Sequence, residues 1–121
     1  MHALLAILAA TTLLLQQPLT GALGKGETHA YEVQLRRGES ADVVVAQQGV
    51  DVIVELVSPA GAIFDAIDGP TGRQGNEEAE ILAAESGRYQ VRVRPFDENE
   101  PVAAYRIELR TRRSVGRTAS P

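Results

Sequence analysis

Val50-Asp51-Val52-Ile53-Val54-Glu55-Leu56-Val57-Ser58-Pro59-Ala60-Gly61 is the stretch around which the rest of the chain arranges itself. Its even positions Val50, Val52, Val54 and Leu56 are apolar, and Ile53 and Val57 break in on the other face. The run therefore reads as a central strand rather than a half-wet edge. The Pro59-Ala60-Gly61 turn ends it. Asp51 and Glu55 share the odd face with Ile53 and Val57, so that face is partly solvated or supplies partners for two carboxylates.

Outward from this stretch the same period-two signal recurs between turns. Tyr31, Val33 and Leu35 alternate with Glu32 and Gln34, and Arg36-Arg37-Gly38-Glu39 turns the chain. Ala41 to Ala46 forms a second strand, closed by Gln47-Gln48-Gly49, where Gly49 is free to take positive φ. Ala62 to Ile67 follows Pro59 as another strand. Asp68 to Glu77, with three glycines, a proline and no alternation, predicts a surface loop, and Glu80 to Ala84 a short strand. Tyr89, Val91 and Val93 alternate with Arg88, Gln90, Arg92 and Arg94, and Tyr105, Ile107 and Leu109 alternate with Arg106, Glu108 and Arg110. Seven to eight short strands with turns every few residues predict an all-β, antiparallel β-sandwich, jelly-roll-like, with a closed barrel as the topological alternative.

The 121 residues suffice for one domain with one core. Hydrophobic residues make up 44% but aromatics only 4%, so the core is built from Val, Leu, Ile and Ala. With no cysteine there are no disulfides, no thiolate chemistry and no Cys-based zinc site. The net charge of −4 is unevenly spread: residues 25–109 carry 8 basic and 16 acidic groups, whereas Arg110, Arg112, Arg113 and Arg117 follow with no acid among them. An acidic body argues against nucleic-acid binding, which needs a basic face. The outward strand faces mix charges instead of forming an apolar patch, which predicts a monomer.

Ala3 to Leu15 is an uncharged apolar run of signal-peptide length and too short to span a bilayer comfortably. It predicts a signal peptide or apolar leader over residues 1–22, beginning as a short helix. Thr20-Gly21-Ala22 is the small-x-small site that would release Leu23, although His2 is the only cationic candidate ahead of the run. The sandwich is then expected over 23–112, a disordered basic tail over 113–121, and a secreted or periplasmic location.

The succession His29-Ala30-Tyr31-Glu32-Val33-Gln34-Leu35-Arg36-Arg37-Gly38, Val45-Ala46-Gln47-Gln48-Gly49-Val50-Asp51-Val52, Ser58-Pro59-Ala60-Gly61 and Ala84-Glu85-Ser86-Gly87-Arg88-Tyr89-Gln90-Val91-Arg92-Val93 resembles the bacterial pre-peptidase C-terminal domain. It is most similar to the version at the N-terminus of exported proteins that continue into tetratricopeptide repeats and a caspase-like CHAT domain. The resemblance covers about residues 25–112. It implies a non-catalytic accessory or binding module acting on a protein, a peptide or the cell envelope, or supporting folding and secretion. Its alternative implication is an N-terminal regulatory module of a CHAT-type peptidase system whose effector part lies outside this chain.

Residue by residue, Tyr31 and Tyr89 open strands with rings turned inward and hydroxyls within reach of loop backbone. Gly38, Gly49, Gly61 and Gly87 sit at turns, and Pro59 shapes one of them. His29, expected to face solvent, lies in no nucleophile motif, so no catalytic residue is assigned. Asp65, Asp68, Glu77 and Glu78 flank the glycine-rich loop with the oxygen ligands that Ca²⁺ prefers, and some collagen-binding relatives of the family bind calcium. Their spacing matches no known calcium loop; no metal or other cofactor is assigned beyond this calcium candidate. Asp51 is expected to lock its hairpin by accepting hydrogen bonds from Gln47, Gln48 or turn amides.

Overall fold

Alternation of apolar and polar residues becomes, in the computed structural model, nine β-strands and no helix among the described residues, 12–69 and 72–114. They are β1 (Thr12–Leu14), β2 (Leu19–Leu23), β3 (His29–Leu35), β4 (Glu39–Gln48), β5 (Val52–Val57), β6 (Ile63–Ile67), β7 (Gln74–Leu82), β8 (Gly87–Pro95) and β9 (Ala103–Ser114). One sheet has the order β1-β3-β8-β5-β6 and the other β2-β9-β4-β7. All pairings are antiparallel except β1 with β3. From β2 onward the chain changes sheet at every connection except the β5–β6 hairpin, the jelly-roll order. Two open sheets with edges at β1, β6, β2 and β7 select the sandwich over the barrel.

The opening stretch behaves as its pattern demands. β5 lies between β8 and β6, and Val52, Val54 and Leu56 are at most 1% exposed. Val43 and Val45 of β4 and Tyr105 and Ile107 of β9, from the other sheet, are fully buried in the same core. Each fully buried aliphatic side chain contributes about 1.5–3 kcal/mol of transfer free energy, so this layer supplies most of what holds the sheets together. On the outer face Glu55 pairs with Arg94 at 3.1 Å and Glu32 with Arg88 at 3.7 Å, which provides the carboxylate partner that the odd face of β5 required.

Three expected boundaries move. The sandwich begins at Thr12 rather than Leu23, with Thr12–Leu14 as a strand. Leu15 and Leu23 belong to the core, and β2 alternates Leu19, Gly21 and Leu23 inward with Thr20 and Ala22 outward, a period hidden under uniform hydropathy. Gly21, read as part of a cleavage site, is also a packing position: a Cβ there would lie 2.7 Å from the Tyr105 ring. Most of the apolar run, residues 1–11, lies outside the described residues, and the helix expected of it lies there too. At the other end β9 continues beyond Arg112 through Arg113 and Ser114, paired to Ser40 and Glu39, so those two residues are strand and not tail; 115–121 lie outside the described residues. Finally, β7 starts at Gln74, taking Gln74 to Glu77 out of the expected loop, because the long β4 offers backbone partners as far as Gln48.

Candidate functional site

The jelly-roll crossings bring four connections to one end of the sandwich: β2–β3, β4–β5, β6–β7 and β8–β9. Asp51 comes from the second, Asp68 from the third, and Glu77 from β7 just beyond it. One carboxylate oxygen of each lies within 4.8 Å of the other two. Glu77 is only 3% exposed and accepts the Gly69 N–H at 2.8 Å. Asp51 Oδ1 is buried and has no hydrogen-bond partner among the described residues. Burial, and then the charges of Asp68, Glu100 and Glu77, push the Asp51 pKa above the usual carboxylate value, against the pull of Arg73.

A second network fixes these loops. Glu100, 7% exposed, accepts the Asp51 N–H at 2.7 Å and the Arg73 Nε–H at 3.0 Å. Phe96 N–H donates to the Asp51 carbonyl at 2.8 Å, and Gly49 N–H to the Arg73 carbonyl at 2.9 Å. Burial alone would raise Glu100, but the Arg73 hydrogen bond, the Asp51 amide and the Arg73 charge outweigh it and hold the pKa below the usual value. One buried carboxylate thereby pins three connections.

Of the four acids that flank the glycine-rich loop in the sequence, Asp68 and Glu77 come together and Asp65 and Glu78 do not join them. Asp65 sits on edge strand β6, its Oδ1 accepting the Ala66 N–H at 2.8 Å, and Glu78 is exposed on the opposite face of β7 from Glu77. The hairpin lock expected of Asp51 is made by Gln47, whose Oε1 accepts from Val52 N–H at 2.9 Å while its Nε2 donates to Gln74 O at 3.1 Å. Glu100 and Arg73 were missed. Nothing local distinguishes Glu100 from exposed Glu98, and only the three-dimensional arrangement of the loops singles it out.

The remaining structural positions cluster elsewhere. Tyr89 reaches loop backbone as expected, its hydroxyl donating to Glu85 O at 2.7 Å. Gly38, Gly49 and Gly61 have φ of 90°, 118° and 93°, and a Cβ on Gly87 would lie 2.7 Å from the Pro59 ring. The Tyr31 hydroxyl instead bonds that of Tyr105, which also bonds His29 Nδ1 at 2.6 Å. His29 is therefore half-buried rather than solvent-facing, and its Nε2 faces Glu27 at 3.4 Å. Burial, reinforced by Tyr31, pushes the Tyr105 hydroxyl far above its ordinary pKa, so it is neither base nor nucleophile at neutral pH. This chain of hydroxyls and imidazole joins two sheets and contains no activated serine or threonine.

Calcium is the cation implied by the sequence resemblance, and the carboxylate cluster fits it. Ca²⁺ takes oxygen ligands, and Asp51, Asp68 and Glu77 are the residues that would hold it. The buried Asp51 Oδ1, which has no hydrogen-bond partner among the described residues, would supply one of its oxygens.

No protein-family model and no curated protein matches the sequence. Solved structures do match. The pre-peptidase C-terminal domain of a Bacillus anthracis collagenase superposes with a TM-score of 0.63 at 17% identity, over 83% of this chain and 93% of that one. PliG of Aeromonas hydrophila, a periplasmic inhibitor of g-type lysozyme, gives 0.63 at 14% identity over 83% and 96%. The Clostridium perfringens CspB protease gives 0.55 at 18% identity, over 81% of this chain but 28% of that one. At such identities the likeness concerns fold. The chain has a pre-peptidase C-terminal-like β-sandwich fold, shared with a periplasmic inhibitor.

Proposed function

We propose that this chain is a non-catalytic accessory module that works in the periplasm or outside the cell by binding another protein. The carrying observation is the loop end. Its buried polar groups are spent on holding loops in place, as the triple use of Glu100 illustrates, and not on lining up a nucleophile with a base. A rigid sandwich that presents preorganised loops is a common way to build a binding surface. The fold shared with a periplasmic inhibitor and a collagenase-derived domain supports both the class of activity and the location. In this reading Asp51, Asp68 and Glu77 would hold a Ca²⁺ ion, which neutralises their repulsion and stiffens the same loops.

Binding of the immobilised domain to fractionated exported proteins, to peptidoglycan and to outer-membrane lipids, run beside peptide and ester hydrolysis assays, tests the proposal. Saturable binding to a protein without turnover is expected. Turnover by the homogeneous chain, or binding confined to carbohydrate or lipid, would overturn it.

A further inference from the structure

Beside the carboxylate cluster, the β2–β3 and β8–β9 connections leave a recess of 240 Å³ walled by Gly26, Glu27, Thr28, Pro95, Phe96 and Asp97. Sites that enclose a small-molecule ligand run from about 300 to 1,000 Å³, so this one suits a single inserted side chain. Its surface is mostly apolar. Phe96 is 42% exposed, and Val102 on the same connection is 65% exposed. Both stand on a loop fixed by Glu100 and by the Phe96–Asp51 backbone bond, so they are presented to solvent without an ordering cost to be met on binding.

The charge around the recess selects the occupant. Glu27, Asp97 and Glu98 are exposed at its rim. Among the described residues of the four connections at this end the cations are Lys25 and Arg73, and Arg73 is engaged by Glu100. Arg94, which also lines the recess, is held by Glu55 at 3.1 Å. At the opposite end of the sandwich Arg36, Arg37 and Arg88 are exposed and outnumber the acids there, Glu39 and Glu85. The molecule is thus polarised, and the field at the loop end steers a positively charged partner toward it.

We propose that this end docks a basic protein by taking one of its Lys or Arg side chains into the recess, with the aliphatic stem and cationic head against Phe96 and the carboxylates of Glu27, Asp97 and Glu98 around it. A long cationic side chain buries its stem on apolar surface, and its head is attracted to an aromatic face. The inference rests on the protein-binding reading above and adds the surface and the partner's chemistry.

The test is an NMR titration of the isotope-labelled full chain with cytochrome c, a lysine-rich protein, and with cytochrome c succinylated to remove its positive charge. Saturable shifts at Gly26, Thr28, Phe96 and Asp97 are expected with the first and none with the second. Phe96→Ala should weaken binding about five-fold or more. Glu78→Gln, on the outer face of β7, should change it less than about two-fold. Unmoved core resonances establish that the Phe96 variant is folded. Absence of binding, indifference to Phe96, or shifts spread over the sheet faces would overturn the docking end. Concentration-dependent shifts at both the recess and Arg36–Arg37 without cytochrome c would overturn it too, in favour of end-to-end contact between copies. The broader reading falls separately, to turnover or to binding confined to non-protein ligands.

Discussion

Replacing Glu100 with alanine should do more damage than its position in an irregular acidic loop suggests. The substitution removes the acceptor for the Asp51 N–H and the partner of Arg73 Nε in one step. A hydrogen bond to a charged group contributes about 1.5–3 kcal/mol, and a buried amide left without its acceptor adds to the loss. Arg73 is 53% exposed and regains water, so its ion pair adds little. The expected loss is about 2–3 kcal/mol, which for a domain of this size lowers the melting temperature by about 9–14 °C. Thermal unfolding followed by circular dichroism measures it, with Glu98→Ala as the exposed control, expected within about 0.5 kcal/mol of wild type. Equal melting temperatures for the two variants would refute the claim that Glu100 pins the loop end.

Asp51→Asn should raise stability at neutral pH in the presence of a chelator. The folded-state pKa of Asp51 is raised, so the native state holds its proton more tightly than the unfolded state and loses stability as pH rises from the unfolded to the folded value. The gain should be small below the ordinary aspartate range and grow to a plateau above the folded pKa; a gain independent of pH would contradict this. CaCl₂ should raise the wild-type melting temperature with the logarithm of its concentration above the dissociation constant, by the equivalent of about 2.7 kcal/mol at a hundred times that constant, and should have much less effect on Asp68→Asn. No calcium effect on wild type removes the cation from the account. Gly21→Ala should cost about 1–3 kcal/mol by driving a methyl group into the Tyr105 ring. An unchanged urea midpoint would mean that β2 is not part of the stable domain.

The strands were legible where burial alternates. β3, β5, β8 and β9 each show inward apolar residues at every second position, and a sheet face in contact with the core imposes that period on the sequence. β2 was hidden because Leu19 to Leu23 lies in a run apolar enough to resemble a leader. β7 was hidden because its first residues, Gln74 to Asn76, are polar and exposed, and only pairing with β4 makes them strand. At the site, acidity was visible but proximity was not. Asp51, Asp68 and Glu77 meet because jelly-roll crossings stack separate connections, and Asp65 departs from them because it lies on an edge strand. Glu100 illustrates the limit: its role depends on contacts 49 and 27 residues away.

The central claim is that the loop end, and not a sheet face, meets the partner. It is tested most directly by comparing binding of a basic protein to two charge-neutralised forms of the full chain. One carries Glu27→Gln, Asp97→Asn and Glu98→Gln around the recess; the other carries Glu78→Gln and Glu80→Gln on the outer face of β7. All five positions are exposed, so both forms should fold. The account predicts that the first form binds at least about ten-fold more weakly than wild type and the second within about two-fold of it. Retained affinity in the first form, together with loss in the second, would contradict it.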